Sequence, residues 1–213
     1  MKLSFLGLVA PLAIGLACLP ALSQVADRPV YKMGDGWEWV TSDHRTRIES
    51  SRSTLKVIEV GRWVRFASQG DDPPPMTWMP DDLPLPGDSV NRTSADHTPG
   101  IDWPLAVGKN WQVRSAWVNA SGTPGKTVQN ATVEAIEEVA TPAGKFRAFR
   151  IVMTGLYTLF YSGPDMVARS GVDNLTLWYA PETGVAVRAI RRRGPIGPPP
   201  EWTVTELVSW HRN

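Results

Sequence analysis

Carboxylates such as Asp102, Glu134 and Glu138 are candidates for acid and base work on an envelope polymer. Such chemistry needs two carboxyl groups facing each other across roughly 5 to 10 Å, which only the fold can supply. Other residues copy catalytic motifs without their setting. Ser53 and Lys56 have the serine-x-x-lysine spacing of penicillin-recognising enzymes, but they lie in a segment that alternates like a strand instead of opening a helix. Gly125-Lys126-Thr127 matches the tail of a phosphate loop, yet the first glycine of that motif would fall at Ala120. It reads as a hairpin turn. The histidines His44, His97 and His211 stand in unrelated segments without partners at ligand spacing. Asp71-Asp72 and Asp81-Asp82 adjoin prolines and lack the alternating pattern of a calcium loop, so no metal and no other cofactor is expected.

Arg191-Arg192-Arg193 is the one notable charge run, and it precedes the Pro-rich stretch 194–200. It reads as the solvated base of a hairpin loop, with an anion or lipid-headgroup contact as the sharper alternative. Aromatic residues carry the main expectation of binding. Trp37, Trp39, Trp63, Trp117 and Trp178 are the candidates to line a concave apolar face that holds a lipid-like or other hydrophobic small molecule. Plain core packing is the competing reading, since the sheet needs them as core.

The elements that position these residues are strands. Period-two alternation of β-branched and aromatic residues recurs along the chain, broken by Gly, Pro and Asn, and sustained helical periodicity is absent from the pattern. Trp37 and Trp39 share one strand face; residues 55–60 and 62–67 form a hairpin turning at Gly61. Trp111, Val113, Ser115 and Trp117 alternate on another strand, and Trp202 to Trp210 make a last one. Thr141-Pro142-Ala143-Gly144 and Pro181-Glu182-Thr183-Gly184 are tight turns, in which proline fixes one backbone angle and glycine permits a positive one. Between the hairpin at 55–67 and the strand at 111–117, residues 69–103 are too rich in proline to join a ladder and read as a long loop lying across the sheet. The fold class expected is all-β, an antiparallel curved sheet of about ten strands closing into a half-barrel or barrel.

Residues 1–23 set the compartment. Lys2 is a short basic region, residues 3–19 are almost purely apolar, and Ala21-Leu22-Ser23 is a small-x-small cleavage site, so residues 24–213 are expected to be exported as a single β domain. Periplasmic or secreted localisation follows. The sole cysteine, Cys18, offers the alternative of lipidation, and a membrane is an expected partner only in that case. The sequence has 22 basic and 21 acidic residues, and loss of Lys2 with the leader balances them. Neutrality supplies no general pull toward nucleic acid or anionic lipid. Without a cysteine after cleavage, no disulfide framework forms, and apolar burial must hold the fold.

Three blocks carry a resemblance. They are Pro104-Leu105-Ala106-Val107-Gly108-Lys109-Asn110-Trp111; Val133-Glu134-Ala135 with Thr141-Pro142-Ala143-Gly144-Lys145-Phe146-Arg147-Ala148-Phe149; and Leu177-Trp178-Tyr179-Ala180-Pro181-Glu182-Thr183-Gly184-Val185. The arrangement resembles uncharacterised exported bacterial β-proteins, with a fold similar to the curved half-barrels of lipoprotein carriers and sigma-factor regulators. These are turn and strand motifs, so the resemblance implies a fold and leaves activity open. The expected function is non-enzymatic binding of an apolar ligand or of an envelope partner protein. A hydrolase of envelope polymers and a structural module are the alternatives.

Overall fold

The computed structural model describes residues 25–69, 76–78, 83, 91–92, 98, 100–119, 121–161 and 167–213. Among these, every regular element is a strand. In chain order they are β1 (Val25–Ala26), β2 (Gly36–Asp43), β3 (Glu49–Val60), β4 (Val64–Gln69), β5 (Met76–Trp78), β6 (Asn91–Arg92), β7 (Leu105–Ala106), β8 (Asn110–Val118), β9 (Pro124–Thr141), β10 (Gly144–Tyr161), β11 (Val167–Ala180), β12 (Val185–Pro195) and β13 (Glu201–His211). Eleven form one curved antiparallel sheet in the order β5-β4-β3-β2-β13-β12-β11-β10-β9-β8-β6, and β1 pairs with β7. The all-β expectation holds, in its open form. β5 and β6 stay apart at the two edges, so the sheet is a half-barrel and does not close.

The expected turns are in place. β9 ends at Thr141 and β10 starts at Gly144, while Gly184 adopts a φ of 72° between β11 and β12, a conformation that favours glycine. The Pro-rich segment departs from the sequence reading, because it contributes two short strands. β5 pairs with β4 at one sheet edge and β6 with β8 at the other. Edge strands this short leave little ladder for another chain to extend. Leu83, from the same segment, is buried in the core.

Two cores share the β11–β12 hairpin. Trp178, Ala180, Val185 and Val187 pack into a cluster with Trp37, Trp39, Leu55, Phe66 and Leu207. Leu175, Leu177, Tyr179 and Ala186 pack into a second, with Val113, Val133, Phe149 and Ile151. Successive side chains of a strand point to opposite faces, so the hairpin tip is covered on both sides. That explains why residues 177–180 read as a continuous apolar run and not as an alternation.

Candidate functional site

Beyond the apolar rows of the second core, the same sheet face turns polar. Strand register sets the sequence of rows. Leu177 opposes Ala189, Leu175 opposes Arg191 and Asp173 opposes Arg193 across β11 and β12. The ladder continues from Ala189 to Thr205, Arg191 to Thr203 and Arg193 to Glu201 on β13, then from Thr205 to Thr41 on β2 and Thr41 to Ser51 on β3. Directly opposed side chains share a face. These rows therefore bring two guanidinium groups, one buried carboxylate and a set of hydroxyls together.

Asp173 anchors the arrangement. Its side chain is 2% exposed, and Arg191 grips it side-on, Nε donating to Oδ1 at 3.0 Å and a terminal nitrogen to Oδ2 at 2.9 Å. Arg193 Nε lies 3.6 Å from the same Oδ2. A buried carboxylate is tolerated only when its lone pairs are filled, and paired charge-assisted bonds of this kind are the strong ones. The Arg193 guanidinium then sits 5.0 Å from the Trp117 ring centroid and 4.9 Å from that of Tyr157, within cation–π range of both. Trp117 is fixed in turn by its indole N–H, which donates to the Thr127 hydroxyl at 2.9 Å. Gln129 donates to the Asp173 carbonyl at 2.8 Å.

Next to this cluster is a cavity of about 290 Å³, lined by Thr41, Ser50, Ser51, Thr203 and Thr205, by Arg191, Arg193 and Glu201, and by the apolar surfaces of Leu175 and Ala189. It lies near the lower end of the roughly 300 to 1,000 Å³ typical of small-molecule sites. Guanidinium groups donate, the Glu201 carboxylate accepts, and each hydroxyl does both. Thr41 and Thr205 already share a hydrogen bond at 2.9 Å, which holds that wall in place.

The five expected tryptophans divide: Trp37, Trp39 and Trp178 share the first core, while Trp63 and Trp117 lie apart from it. Trp37 and Trp39 stack with centroids 6.5 Å apart in the first core, and their indole groups donate to the carbonyls of Thr183 and Ala186 at 2.9 and 3.0 Å. Trp178 packs in that core with its N–H on Glu137 at 2.7 Å and Arg188 over its ring. Trp63 is 41% exposed in the β3–β4 turn. Only Trp117 of the five joins the polar cluster, and none lines the cavity. The carboxylates of the enzyme alternative also stay separate, each beside its own cation at the surface. Asp102 pairs with Lys109 at 3.1 Å, Glu134 with Arg150 at 3.2 Å and Glu138 with Lys145 at 3.2 Å. Ser53 and Lys56 are both on strand β3. His44 stacks on Trp202, and His211 lies against the Gly34 carbonyl. Residues 1–23 with Cys18, and Asp71, Asp72, Asp81, Asp82 and His97, lie outside the described residues.

The arginine run needs a correction. Residues 191–193 lie inside β12, paired to β11 on one side and β13 on the other, and do not form a loop base. Alternation sends Arg191 and Arg193 inward to Asp173 and leaves Arg192 exposed on the opposite face. The usable signal was Asp173 itself, an acid in step with Leu175, Leu177 and Tyr179 on a core-facing period.

No protein-family model matches the chain, and no curated protein does. Two solved structures are similar to it. One is described as a "putative lipoprotein" of Parabacteroides distasonis, 11% identical, with a TM-score of 0.50 over 87% of this chain and 99% of that one. The other is a "putative exported protein with YmcC-like fold" of Bacteroides fragilis, 12% identical, with a TM-score of 0.44 over 88% of this chain and 100% of that one. At these identities the first likeness speaks for the architecture alone. Neither is described as a lipoprotein carrier or a sigma-factor regulator, the half-barrels the sequence resemblance implied.

Proposed function

We propose that the protein is an exported cell-envelope protein that binds a small hydroxylated ligand, about the size of one sugar unit, in the cavity beside Arg191 and Arg193. The leader-like residues 1–23 support export. The observation that carries the binding reading is the lining: five hydroxyl side chains, donors and an acceptor, and two apolar contacts, arranged around a held Asp173–Arg191 pair. A polyhydroxylated molecule needs this mixture, because each of its hydroxyls both gives and takes a hydrogen bond while its C–H faces seek apolar surface. Counting Asp173 and Glu201 against Arg191 and Arg193, the charges balance, so ligand charge is not the main basis of selection. Binding is favoured over hydrolysis because the three candidate acids are spread among separate surface ion pairs.

A calorimetric screen of hexoses, hexosamines and uronic acids, run beside fatty acids and phospholipids, tests the reading. Saturable binding within the sugar panel is the expected result. Binding confined to the fatty acids or phospholipids would overturn it in favour of the aromatic apolar site.

A further inference from the structure

We infer that the sheet face opposite the cavity, over the far ends of β8 to β11, is a docking surface for an anionic lipid bilayer. Register places Arg114, Val128, Leu156 and Val172 in one row across these four strands. The next rows add Ala116, Lys126, Thr158 and Ser170, then Val118, Phe160 and Ala168. Large apolar members stand exposed in two of these rows: Leu156 is 50% exposed, Val128 44% and Phe160 39%. They form adjacent rows on one face and are not scattered singly, which marks them as a contact surface.

Charge selects the occupant. The near-balance of charge over the whole chain, +1 in all, conceals a local excess, since residues 110–132 carry Arg114 and Lys126 and no acid, and residues 153–172 carry Arg169 and the single acid Asp165. On the face itself Arg114 and Lys126 flank the apolar rows, and Lys126 Nζ lies 6.0 Å from the Phe160 ring. Arg192, exposed and opposite Asn174 on the same face, adds a third cation. Aliphatic and aromatic side chains among long cations suit the headgroup boundary, where stems enter the apolar layer and charges meet anionic lipid. A second copy of the chain fits worse. Joining the face to itself would set these cations against one another.

Vesicle co-sedimentation tests this with the exported protein carrying Cys18→Ala, so that no acyl chain contributes. Sedimentation with phosphatidylcholine–phosphatidylglycerol vesicles, and little with phosphatidylcholine alone, is the expected result. Arg114→Glu with Lys126→Glu should weaken binding about tenfold or more, and Leu156→Glu, at an exposed position, should weaken it while leaving the far-ultraviolet dichroism unchanged. No sedimentation with the anionic vesicles would overturn the assignment, and so would equal binding to both vesicle types or indifference to both sets of substitutions. A dimer in vesicle-free solution that Leu156→Glu dissociates would overturn it in favour of self-association. The cavity is untouched by these variants, so the outcome is independent of sugar binding.

Discussion

Asp173 is the residue on which the site depends. Asp173→Asn preserves volume but removes the charge that holds Arg191 side-on and draws in Arg193. Breaking a buried pair typically costs about 3 to 5 kcal/mol, and the partial exposure of both arginines lowers the expected loss here to about 2 kcal/mol. Urea unfolding measures it. At the opposite surface, the Arg52 guanidinium and the Ser209 hydroxyl hold the Glu38 carboxyl below its ordinary range. Asp43 is lowered likewise, chiefly by the backbone N–H of Thr46. A carboxylate whose pKa is depressed by folding stabilises above its unfolded value, and that contribution fades as pH falls through the folded one. The Tm difference between wild type and Glu38→Gln should therefore be largest near about pH 7 and shrink toward about pH 3. A difference that grows on acidification would contradict the ion-pair account.

At the scale of elements, the β11–β12 hairpin is the piece between two cores, and its tip hangs on two indole donors from β2. Trp39→Phe keeps most of the buried ring but leaves the Ala186 carbonyl without this partner, so a loss of about 1 to 2 kcal/mol is expected by thermal unfolding. Gly171 is a second control point. A Cβ there would stand 2.3 Å from the Gly194 carbonyl and 2.5 Å from the Tyr157 ring. Gly171→Ala should displace Tyr157 from Arg193 and reduce stability, read as a lowered Tm together with altered tryptophan fluorescence from Trp117. The strands and turns were legible in the sequence because alternation and Gly/Pro punctuation are local signals. The cluster was not, because it depends on register. Regular counting from the Ala180–Val185 pair would set Asp173 against Arg192; the irregularity at Trp178/Tyr179 shifts the pairing to Arg193. The part the tryptophans play was illegible for a related reason, since aromatic type marks a buried face and does not show whether that face is filled.

Across the whole molecule, the two ends of the described chain are fastened together through a buried acid. Asp35 accepts hydrogen bonds from the backbone N–H groups of Lys32 and Asn213 at 2.9 and 2.8 Å, with Arg212 Nε 3.7 Å away. The Asn213 side chain adds a bond to the Met33 carbonyl. Removal of Arg212 and Asn213 leaves this buried acid with the Lys32 N–H but without its C-terminal partners, one of them 178 residues away, and about 2 to 3 kcal/mol of stability should go with them. Nothing local in the sequence announces that clamp; it exists because β2 and β13 lie side by side. The same adjacency builds the cavity, whose walls come from β2 and β3 at one end of the chain and β11 to β13 at the other. Its role as a binding seat is tested most directly by calorimetry on the best sugar of the screen, comparing wild type with the double substitution Thr203→Val and Thr205→Val, which removes two lining hydroxyls without changing their shape. Binding weakened by at least about tenfold, with Tm lowered only by the modest amount that loss of the Thr41–Thr205 hydrogen bond causes, is the expected result. Equal affinity in the two proteins would contradict the assignment of the ligand to this cavity.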